Sequence, residues 1–85
     1  MDKLQEHLER IKSRQDLAAF VSLLSDDLFS NSQDWENVSL KDYLGAIAAW
    51  CEDMDGYFIN LGLPVPQSPS WQTIAQILLA ARSYE

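Results

Sequence analysis

Hydrophobic positions recur at helical spacing four times along this chain. Leu4, Leu8 and Ile11 stand among charged residues and predict a short amphipathic helix over 1–12. Leu17, Phe20, Val21, Leu24 and Leu28 repeat the i, i+3, i+4, i+7 pattern and predict a second helix over 14–30. The pattern is also compatible with one bent helix spanning both. A third stripe, over 39–60, holds Leu40, Tyr43, Leu44, Ile47, Cys51, Met54 and Phe58, with Ala46, Trp50 and Tyr57 beside it. The fourth, over 71–84, holds Ile74, Ala75, Leu78 and Ala81, flanked by Ile77.

Boundary residues support this division. Ser13 precedes Asp16 by three positions, and Ser39 precedes Asp42 by three. Each pair resembles a capping box, with Asp in place of Glu. Val38 and Tyr43 occupy the staple positions around Ser39, and Asp42 suits the positive end of the helix dipole. Asn31, Ser32 and Asp34 close the second helix with turn-forming residues. Gly62 can supply the left-handed residue that ends the third. Pro64, Pro66 and Pro69 make residues 62–70 an extended crossover, and Ser70 caps the last helix ahead of Trp71.

The stretch from Trp35 to Leu61 is the expected centre of the molecule. Apolar residues cover more than half of its helical circumference, which predicts contacts on several sides. Gly56 marks either the end of its regular part or a close approach of another backbone. No alternating strand pattern, hairpin signal or internal repeat occurs. The expected fold is all-α: one domain over 1–85, a compact bundle of about four helices with a Pro-rich crossover before the last.

Charge and size narrow the function. The chain has 85 residues and a net charge of −7, with six Lys and Arg. Nucleic-acid binding depends on cations meeting phosphates, so direct binding is not expected. An acidic surface suits a basic partner, and it also simply maintains solubility. A chain this short buries roughly 60–65% of its unfolded surface, which leaves little room for both a core and a deep catalytic cavity. Met1 to Arg14 is charged, and no run approaches the roughly 18 apolar residues that span a bilayer. Cys51 is the only cysteine. Together these predict a soluble, cytoplasmic, non-enzymatic protein with no membrane or nucleic-acid partner.

Few residues suggest chemistry. Asp53-Met54-Asp55-Gly56 resembles the start of a calcium loop, but no Glu follows at the required distance. On a helix, Asp53 and Asp55 also point to different sides. Cys51 lies on the apolar stripe, so packing is its expected role, and His7, the one histidine, is expected at the surface. Asp26 and Asp27 fall off their helix's stripe and are expected to be solvated. Arg82 is the only cation after Lys41. In an apolar final helix it is expected to pair with Asp53 or Asp55 and tie that helix to the third, unless it is simply exposed at a helix C-terminus. The aromatics (Trp35, Trp50, Trp71, Tyr43, Tyr57, Phe58 and Tyr84) are expected in the core, with an interface patch as the functional alternative.

Several of these residues form a longer pattern. It runs Trp35-Glu36-Asn37, Leu40-x-Asp42-Tyr43-Leu44, Trp50, Asp53-Met54-Asp55-Gly56-Tyr57, Asn60-x-Gly62-x-Pro64-x-Pro66, Pro69-Ser70-Trp71 and Ala80-Ala81-Arg82-x-Tyr84-Glu85. Over roughly residues 16–85 the chain resembles a family of small bacterial domains of unknown function. The resemblance implies no activity, cofactor or catalytic residue. It implies that Glu36, Asn37, Asp53, Asp55 and Asn60 belong to the domain's design.

The reading that follows is a non-catalytic protein–protein interaction module of immunity or regulatory type, acting on a basic partner or as a homodimer. The alternative is a small-molecule or metal-binding domain using Asp53, Asp55 and the nearby aromatics. An enzyme ranks third. No catalytic, cofactor or metal residue is assigned. The candidate polar network is Glu36, Asn37, Asp53, Asp55, Tyr57, Asn60 and Arg82.

Overall fold

Ser13, Ser39 and Ser70 each accept a hydrogen bond from a backbone N–H three residues on. Asp16 donates to Ser13 Oγ at 3.2 Å, Asp42 to Ser39 Oγ at 3.1 Å and Thr73 to Ser70 Oγ at 3.0 Å. These bonds satisfy first-turn donors that the helices cannot satisfy themselves. They open α2 (Arg14–Ser30), α3 (Leu40–Asn60) and α4 (Trp71–Ala80) in the computed structural model, which describes residues 3–84. A short α1 (Lys3–Leu8) precedes them, and a 3-10 turn spans Ser32–Asp34. The fold is an all-α bundle with no strand among the described residues.

The boundaries show local chemistry at work. Asp16 also accepts the Lys12 N–H at 3.0 Å, so the capping pair at Ser13 reaches back one residue further than a standard box. Gly62 takes φ 70°. Its N–H bonds to the Ile59 carbonyl and that of Leu63 to Phe58, the bonds of a Schellman turn. Nothing approaches Gly56, and α3 runs straight through it. The first helix is shorter than the expected 1–12, and residues 1 and 2 lie outside the described residues, as does Glu85. It is also separate from α2, so the two are not one bent helix. The last helix stops at Ala80, and turn bonds such as Tyr84 N–H to the Ala80 carbonyl carry the chain on.

The centre of the bundle is α4, not the Trp35–Leu61 stretch. α4 packs against α1, α2 and α3, whereas α3 meets only α4 among the helices. The physical reason lies in side-chain size. Ala75 and Ala81 are wholly buried, and such small residues let neighbouring backbones come close. The core cluster joins Leu4, Leu8 and Ile11 to Phe20, Leu24, Trp35, Ala75 and Leu79.

With one helical neighbour, α3 cannot cover all its apolar positions. It buries Ala46 and Phe58 and half-buries Tyr43, Ile47, Trp50 and Met54. Leu40 and Leu44 stay exposed, and Cys51, expected in the core, is exposed as well. His7 is at the surface, as its sequence neighbours suggest.

Candidate functional site

Asp27 gathers the polar contacts that hold the bundle's end together. It sits on α2, half-buried, four residues before Asn31. Trp35 Nε1 donates to its Oδ2 at 2.7 Å, Asn31 Nδ2 to its Oδ1 at 3.0 Å and Arg82 Nη1 to its Oδ2 at 3.2 Å. The Arg82 guanidinium also lies 5.9 Å from the centre of the Trp35 ring. Burial, the largest influence, pushes the Asp27 carboxyl up. The hydrogen bonds from Trp35, Asn31 and Arg82, with the guanidinium charge, outweigh burial and leave the group below its ordinary value.

This arrangement corrects two expectations. Arg82 forms its ion pair with Asp27, and so ties the end of α4 to α2 instead of to Asp53 or Asp55 on α3. Asp27 is no solvated surface acid.

The connector from Trp35 to Asn37 is pinned at the same place. The N–H groups of Glu36 and Asn37 both donate to the Arg82 carbonyl at 3.0 Å. The Asn37 side chain donates to the carbonyls of Ala81 at 3.0 Å and Tyr84 at 2.7 Å. These carbonyls belong to the turn that follows α4. Glu36 therefore takes part through its backbone, and its side chain is exposed.

The remaining candidates do not converge on one point. Asp53 accepts the Tyr84 hydroxyl at 2.5 Å, a bond that raises the phenol's pKa. Asp55 turns back to accept the N–H of its neighbour Gly56 at 2.9 Å. Tyr57 packs its ring on Trp50, centroids 5.3 Å apart, and accepts a hydrogen bond from Gln76 Nε2 at 3.3 Å. Asn60 is exposed at the last residue of α3. Among the described residues, no group of three or more His, Cys, Asp or Glu is placed to hold a metal ion.

A different surface stands out, and the sequence reading missed it. Because α2 and α3 make no close backbone approach, a groove of about 400 Å³ opens between them. Val21, Leu28, Val38 and Leu40 wall it, over Leu24, Trp35, Tyr43 and Leu78. None of its lining residues is charged. Tyr43 crosses beneath and donates its hydroxyl to the Leu78 carbonyl at 2.7 Å; burial raises that phenol's pKa against the opposing charge of Arg82. Leu40 is 72% exposed and Val38 52%. The available signal was the surplus of apolar positions at the start of α3, more than one neighbouring helix can cover.

Fold and surface together define a small helical bundle with a hydrogen-bonded polar cluster around Asp27 and an uncharged groove between α2 and the start of α3. The chain belongs to a family of unknown function, DUF7660, which it matches over residues 13–85. No curated protein and no solved structure matches it. No helix among the described residues is long and apolar enough to cross a membrane.

Proposed function

We propose that this chain is a non-catalytic docking module that receives a basic protein partner in the groove between α2 and the start of α3. The observation behind this reading is the uncharged groove on a chain of net charge −7. Exposed aliphatic walls over an aromatic floor suit the apolar anchors of a partner segment. Cations flanking those anchors are drawn by the chain's net charge of −7. A second copy is a poorer occupant, because two copies would bring like charges together.

Such a module suits an immunity or regulatory role, in which an acidic protein covers a basic one. A lone thiol accords with a reducing, cytoplasmic setting. The small-molecule or metal alternative has less support, since Asp53 and Asp55 face different partners.

Leu40→Asp tests the reading. Leu40 is exposed, so the melting temperature is expected to stay within about 2 °C, the response of a surface substitution. Co-purification of a basic partner from the native cells is expected to be lost, and in the unaltered protein to weaken as salt rises. A partner retained by the Leu40→Asp protein at all salt concentrations would refute the groove.

A further inference from the structure

The family match begins at Ser13, the cap of α2, so α1 lies outside it. Yet α1 and the residue run after it supply Leu4, Leu8 and Ile11 to the core, all under 7% exposed. They fill a seam between α2 and α4. Polar contacts add to this packing: Gln72 Nε2 donates to the Leu8 carbonyl at 2.9 Å, and the Lys12 N–H donates to Asp16 at 3.0 Å. A six-residue helix has no stability of its own in water, so α1 is helical only while it is docked.

Charge separates this segment from the rest. Residues 1–12 hold Lys3, Arg10 and Lys12, half of the chain's Lys and Arg, balanced by three acids. Residues 13–85 carry the whole net charge of −7. Lys3 borders a cleft that Asp26, Asp34 and the ion pair of Asp27 with Arg82 also line, so that acids outnumber cations there. The seam is thus an apolar slot on an acidic body, occupied by the most cation-rich segment of the chain.

We infer that the α2–α4 seam is a helix-docking site that α1 occupies in cis, and that a cation-rich amphipathic helix with the Leu-x3-Leu-x2-Ile spacing displaces it. This rests on the proposal that the partner is basic, and gives that partner a second point of contact beside the groove. An incoming helix with fewer acids than residues 1–12 makes the same apolar contacts and meets the −7 body with a larger net positive charge. α1 lowers the apparent affinity for the incoming helix by the fraction of time it stays docked.

The test uses the full chain and a capped synthetic peptide of residues 1–12 carrying Asp2→Asn, Glu6→Gln and Glu9→Gln. Backbone amide NMR is expected to show Leu4 and Leu8 of the protein moving to unfolded positions as peptide saturates, while Leu24, Phe58 and Ala75 keep their folded dispersion. Gln5→Gly in the protein loosens α1 at an exposed position without touching the core. It is expected to tighten peptide binding about fivefold, the ratio that corresponds to glycine's cost in a helix. Peptide that fails to bind at millimolar concentration, that leaves Leu4 and Leu8 in place, or that binds the Gln5→Gly protein no more tightly overturns the inference. The groove is judged separately: Leu40→Asp leaves this peptide's binding unchanged, so the two can fail independently.

Discussion

Asp27 is bound by donors from three separate places: its own helix, the connector after it and the far end of the chain. Its depressed pKa makes stability depend on acid. The sign follows from the unfolded chain binding the proton more tightly than the folded one. Asp27's contribution is complete above the ordinary value of 3.8 and is lost as pH falls through its lower folded value. Urea melts from pH 6 downward are expected to show this decline in the unaltered protein and a flatter acid limb in Asp27→Asn. Asp27→Ala leaves Trp35 Nε1 and Arg82 without this acceptor and is expected to cost about 1–3 kcal/mol at neutral pH. Asp27 was not legible as a hub, since it falls off the apolar stripe of α2 and reads as a solvated acid. Nor was Arg82 visible as its partner, because 55 positions separate the two.

Between elements, the attachment of α3 to α4 depends on Asn37 and Tyr43 more than on the acids that first drew attention. Asn37, in the connector before α3, satisfies two carbonyls of the turn after α4, and Tyr43 satisfies a third within α4 itself. Asn37→Ala is expected to cost about 1–3 kcal/mol and Tyr43→Phe about 1 kcal/mol in urea unfolding. Tyr84→Phe breaks an exposed bond to Asp53 and is expected to move the midpoint less than Tyr43→Phe does. The reverse order would place the attachment at Asp53. Helix starts were legible because a serine and the N–H groups it caps lie within one turn. The buried face of α3 was not: its apolar positions outnumber the places one neighbour offers, so periodicity could not distinguish Phe58, which is buried, from Leu44 and Cys51, which are exposed.

At the scale of the molecule, α4 receives three helices and measures the tolerance of the whole bundle. Ala75→Leu forces a larger side chain where no surface is exposed and is expected to cost about 1–3 kcal/mol, read as a lower thermal midpoint. Leu44→Ala, on the open side of α3, is expected to be near neutral in the same melt. A tolerant Ala75 would contradict α4 as the packing centre. What the amino-acid order determined by itself was the helical class, the three serine caps, the left-handed Gly62 and the acidity, since each depends on neighbours within a turn or on composition alone. The tertiary structure alone decided which helix lies at the centre, which acid meets Arg82, and where apolar surface is left open. Those outcomes depend on which faces meet across the bundle, and side-chain size at the crossing points sets that, not hydrophobic spacing along any one helix.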